Sequence, residues 1–76
     1  MIGESEKRLI REAMRLGNEI EINMEVRGWR VHITTCPASP AWGQSMIARV
    51  QAEKPYVYSS QYCATVDDVV WALETL

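Results

Sequence analysis

Apolar residues at Leu9, Ile10, Ala13, Met14 and Leu16 recur at spacings of three and four. That is the period of a helix with one buried stripe, and it predicts a helix over residues 4–16. Ser5 or Gly3 stands where the helix would open, and Gly17 stands where a left-handed C-terminal cap is wanted. Glu4 and Arg8 make a favourable pair four residues apart. The outer face carries Lys7, Arg8, Arg11 and Arg15 with Glu6 and Glu12 between them, the pattern of a solvated face.

The rhythm then changes to two. Ile20, Ile22, Met24 and Val26 point one way, and Glu19, Glu21, Asn23 and Glu25 the other, which predicts a half-buried strand over 19–26. After Arg27-Gly28 the alternation resumes: Trp29, Val31 and Ile33 on one face, Arg30, His32 and Thr34 on the other. The two runs read as a hairpin. Setting Val26 against Trp29 pairs Met24 with Val31 and Ile22 with Ile33, and brings Glu25 opposite Arg30. A slip by one residue would set Met24 against Arg30, so burial of one face selects the first register.

The stretch HITTCPASPAWGQS, from His32 to Ser45, reads as a connection between strands. Pro37 and Pro40 remove two backbone donors and stiffen it. Met46, Ala48, Val50 and Ala52 then alternate with Ile47, Arg49, Gln51 and Glu53, a third strand with Ile47 as its exception. A turn at Glu53-Lys54-Pro55 leads to a fourth strand, YVYSSQY. A three-residue turn would place Tyr56, Tyr58 and Tyr62 inward. A turn of two or four residues would bury Val57 instead. The first is expected, because it buries more surface. Thr65 opens a last helix with Asp68 three positions on, and Asp67 and Asp68 suit its positive end. Val66, Val69, Val70, Leu73 and Leu76 make its apolar stripe. The prediction is a single α+β domain over 1–76 with element order α-β-β-β-β-α: an antiparallel four-stranded sheet with two helices on one face.

Composition narrows the function. The 76 residues carry a net charge of −2, against a general nucleic-acid binder, which needs a strong positive field. The longest apolar run, Val69 to Leu73, falls far short of the roughly 20 residues of a membrane span. The N-terminus lacks the basic-apolar-small order of a signal peptide, so a cytoplasmic protein with reduced Cys36 and Cys63 is expected.

Reactive groups are few and scattered. In an extended segment His32 and Cys36 lie roughly 13 Å apart, too far for a thiol–imidazole dyad. Two distant cysteines and one histidine do not make a zinc site. Cys63 precedes a helix whose positive end would lower its pKa, but a cysteine at a strand-to-helix junction is more often buried as a small apolar group. Glu19, Glu21 and Glu25 share a face without the cleft that glycosidic chemistry needs. The four glycines are dispersed and form no phosphate loop. Neither metal nor cofactor is expected. Trp42 either packs at the core edge, the preferred reading, or stands out as an anchor for a partner.

Element order resembles the double-stranded RNA-binding domain, but Thr65-Val66-Asp67-Asp68 stands where that family carries lysines. YVYSSQYCATVDDVVWALETL is similar to the strand-then-helix ending of HicB-type antitoxins. In length, acidity and lack of catalytic motifs the chain resembles phage-encoded inhibitors of the anti-CRISPR type. That resemblance implies a non-enzymatic protein-binding module that occludes a site on a larger protein or nucleoprotein complex. The expected contact surface is Glu21, Glu25, Arg30 and His32 on the outer sheet face, with Trp42 at its edge. Two other classes stand beside it: a homodimer, antitoxin-like or structural, paired through the tyrosines or an edge strand, and an enzyme using Cys36 or Cys63.

Overall fold

The computed structural model describes residues 2–76, with Trp42 described in its backbone alone. Its elements are α1 (Glu4–Leu16), β1 (Glu21–Val26), β2 (Trp29–Pro37), a 3-10 turn (Pro40–Trp42), β3 (Met46–Lys54), β4 (Val57–Cys63) and α2 (Val66–Glu74). The strands form one antiparallel sheet in the order β1-β2-β3-β4. Both helices pack on one face of it, as the residue pattern predicts. Among the described residues no helix is long and apolar enough to cross a membrane.

α1 ends at Gly17, whose φ of 77° is left-handed and whose N–H donates to the Ala13 carbonyl. Gly3 is the N-cap and offers no side-chain bond. Ile10 and Ala13 are buried and Met14 packs at the core margin, whereas Leu9 and Leu16 remain more than half exposed. The buried stripe is therefore narrower than the pattern suggests. Glu4 pairs with Lys7 at 3.2 Å rather than with Arg8; residues three apart are neighbours on a helix as surely as those four apart.

The β1–β2 hairpin has the expected register, from Glu21 opposite Thr34 to Val26 opposite Trp29. Arg27 and Gly28 both have positive φ, 46° and 83°, the signature of a two-residue type I′ turn. β1 begins at Glu21, two residues later than expected. The reason is Thr35, buried to 2% exposure. Its hydroxyl donates to the Asn18 carbonyl at 2.7 Å and accepts from the Ile20 N–H at 2.9 Å. The Thr35 N–H still donates to the Ile20 carbonyl at 3.1 Å, so the hydroxyl takes the place of one ladder acceptor where the chain leaves α1.

β2 also runs further than expected. Residues Thr35–Pro37, read as part of a connection, lie in the strand, because β3 offers a partner as far as Pro37 opposite Met46. The connection proper is 38–45. It is tied down by Ala38 N–H to the Ser45 carbonyl at 2.9 Å, and by the Gln44 amide, which donates to the carbonyls of Met46 (2.6 Å) and Ala64 (3.1 Å).

The fourth strand corrects a further expectation. Lys54 pairs with Val57 across a two-residue turn, Pro55-Tyr56, with Tyr56 at φ 71°. Proline followed by a positive φ is a type II turn. A turn of two residues rather than three reverses every side chain of β4. Tyr56, Tyr58 and Tyr62 are exposed, and Ser59, Gln61 and Cys63 face the helices. Under α2 the space is filled by Val69, Ala72 and Leu73 over Ala48 and Val50, so small residues serve on the inner side of β4.

α2 opens as expected, with the Thr65 hydroxyl accepting from the Asp68 N–H at 3.2 Å. Its C-terminal end is held from far away in sequence. The Arg27 guanidinium donates to the carbonyls of Leu73 (2.5 Å) and Leu76 (3.2 Å). A cation there adds a charged donor at the last carbonyls and opposes the negative end of the helix dipole.

Candidate functional surface

One sheet face is covered by the helices; the other is open. The registers arrange the open face in three rows that cross all four strands. Glu21, Thr34, Arg49 and Tyr62 form the first, Asn23, His32, Gln51 and Ser60 the second, and Glu25, Arg30, Glu53 and Tyr58 the third. Glu21, Glu25, Arg30 and His32 thus share one exposed surface, as the alternation requires. The side chain of Trp42 lies outside the described residues.

Electrostatics run across the strands. The β1 side is acidic. His32 Nδ1 lies 3.2 Å from Glu21 Oε1. Arg30, although opposite Glu25, makes its ion pair with Glu53 on the other side at 3.0 Å. Toward β4 the surface becomes aromatic. Tyr58 and Tyr62 are 59% and 55% exposed. The Arg49 guanidinium lies 5.7 Å from the Tyr62 ring centroid, within reach of a cation–π contact. Its Nε is buried without a hydrogen-bond partner. The Gln51 amide donates to the Tyr58 hydroxyl at 2.8 Å. This bond favours the phenolate and holds the Tyr58 pKa below the ordinary tyrosine value.

The recesses on this face are shallow. One of about 240 Å³ is lined by His32, Gln51, Glu53 and Tyr58. Another, of about 360 Å³, lies among Glu21, Thr34, Cys36 and Arg49. The 38–45 connection borders the far end, where Cys36, Ser39, Ile47 and Tyr62 surround a third. That border accounts for Ile47, the exception in its strand: it is buried although it belongs to the open face.

The thiols are separated by the sheet. Cys36 lies on the open face opposite Ile47, whereas Cys63 is in the core opposite Ala48. Burial, with Asp68 adding, pushes the Cys63 pKa up to about 11; the helix end does not lower it. His32 and Cys36 occupy separate rows of one continuous strand and form no dyad. Among the described residues no three His, Cys, Asp or Glu side chains converge in a metal-binding arrangement. Sequence reasoning missed Tyr58 and Tyr62 on this face, and the length of the turn at Pro55 was the signal that would have placed them.

The fold and surface define a class: a two-layer α+β domain with one sheet face uncovered. Comparison with known protein families, characterised proteins and solved structures finds no match.

Proposed function

We propose that the chain is a small non-enzymatic protein-binding module, an inhibitor of the anti-CRISPR type carried by a phage or mobile element, which occludes a site on a larger complex. Its contact surface is the open sheet face bearing Glu21, Glu25, Arg30 and His32. The observation that carries this reading is the make-up of that face. It combines exposed Tyr58, Tyr62 and Arg30, of residue types enriched where proteins bind proteins, with an acidic margin along β1. The acidic margin suits a basic groove that otherwise holds nucleic acid, for which the glutamates compete. The partner is a protein or nucleoprotein complex, with no direct nucleic-acid contact.

The test is a pull-down from host lysate with the parent chain and with Glu21→Lys plus Glu25→Lys. Both positions are exposed, so the fold should survive, which circular dichroism checks. Loss of the captured partner is expected. Equal capture by the parent and the charge-reversed variant removes this surface from consideration.

A further inference from the structure

The two edges of the sheet differ. β1 carries Glu21 and Glu25, with Glu19 just before it. Charges on an edge strand deter pairing with another strand. β4, the other edge, reads VYSSQYC. It has no charge, proline or glycine in seven residues, and three of its bulky side chains, Val57, Tyr58 and Tyr62, are more than half exposed. Its own sequence carries none of the charges, prolines or glycine bulges that deter strand addition.

We propose that β4 is a self-association edge and that its occupant is β4 of a second copy of this chain, joined antiparallel about a two-fold axis into one eight-stranded sheet. Three observations select a second copy and a register. First, the two-residue turn makes Lys54 and Val57 the closing hydrogen-bonded pair. By the alternation of an antiparallel ladder, Tyr58, Ser60 and Tyr62 then turn their N–H and C=O groups outward. Second, an axis at Ser60 sets these three against each other: Ser60 meets the second copy's Ser60, and each Tyr58 meets a Tyr62. All seven residues pair, whereas moving the axis by one residue leaves five. Third, the strand is complementary to itself in this register. Two tyrosine pairs fall on the open face, where aromatic cross-strand pairs are favourable. On the helix side Val57 meets Cys63 and Ser59 meets Gln61, and no like charges oppose.

The area sets the size class of the contact. A tyrosine has about 200 Å² to bury, and about half of each ring here is still exposed, so four tyrosines contribute about 400 Å². The strand backbones and both Val57 side chains add to that and bring the interface to the low end, near 1,000 Å², of specific contacts. The dimer is expected to form at micromolar concentration and to dissociate below it. This inference does not depend on the partner proposed above, whose key residues Glu21, Glu25, Arg30 and His32 lie on β1 and β2, toward the other edge of the same open face.

Sedimentation velocity across a dilution series from about 1 µM to 500 µM tests it. The mass should rise from 8.7 kDa to a plateau at twice that value. Ser60→Lys, at an exposed position, should abolish the rise without loss of folded signal. In a Cys36→Ser background, Ser60→Cys should cross-link to itself under mild oxidation. Across a hydrogen-bonded antiparallel pair the two Cα atoms lie about 5.5 Å apart, within disulfide range. Tyr62→Cys in the same background should not cross-link, because its two copies would lie about 13 Å apart. A monomer at every concentration, a mass that climbs past two copies without a plateau, or a dimer indifferent to Ser60→Lys overturns the proposal.

Discussion

Replacing Thr35 by valine keeps the shape of the side chain and removes its hydroxyl. In the folded protein that hydroxyl makes two hydrogen bonds, to the Asn18 carbonyl and from the Ile20 N–H, and the residue is 98% out of reach of water. Each bond contributes about 1 kcal/mol net, and a buried partner left unsatisfied costs about 1–3 kcal/mol. Both partners are only part-buried, so water recovers some of that cost. The expected loss is about 2–3 kcal/mol, out of the roughly 4–11 kcal/mol available to a domain of this size. In thermal unfolding followed by circular dichroism, Tm should fall by about 8–24 °C. Thr35→Ser is the control. It keeps both bonds, gives up one methyl and should cost about 1 kcal/mol. Amide exchange adds a local readout, since the Ile20 N–H should lose protection in the valine variant alone. A Tm within about 3 °C of the parent refutes the reasoning, and a serine variant as unstable as the valine one would assign the effect to packing.

Two further outcomes are expected. Arg27→Asn retains a residue suited to the type I′ turn but removes the bonds to Leu73 and Leu76; urea unfolding should show a loss of about 1–2 kcal/mol, and none if those contacts contribute nothing. With a disulfide reagent at pH 8, the half-buried Cys36 should label first. Cys63, with a pKa of about 11, has about one thiolate in a thousand at that pH and should label only as the protein unfolds; rapid labelling of both thiols in the folded chain would contradict its placement in the core.

How far the chain's own pattern reaches is clearest in the hairpin. Alternation from Glu19 to Thr34 determines which side of each strand is buried, and a slip of one residue would expose Ile22, Met24 and Val31 together. One register therefore wins on local sequence alone. The helices are legible for the same reason: their apolar positions recur at the period of the backbone, and Gly17 and Thr65 punctuate them. The acidic margin of the open face, Glu21 with Glu25, follows directly from that rhythm.

Other features needed the assembled molecule. Thr35 to Pro37 resemble a loop in composition and become strand because β3 lies alongside them. The tyrosines of β4 offered more area to bury than Val57 does. They nevertheless face outward, because the two-residue turn and the space already filled beneath α2 set the phase of that strand. Thr35 and Arg27 act on residues 15 to 49 positions away, which no local period encodes. Periodicity states which side of an element is apolar. Turn length, strand neighbours and long-range caps are properties of elements meeting in space, and they decided where the periods begin, end and point.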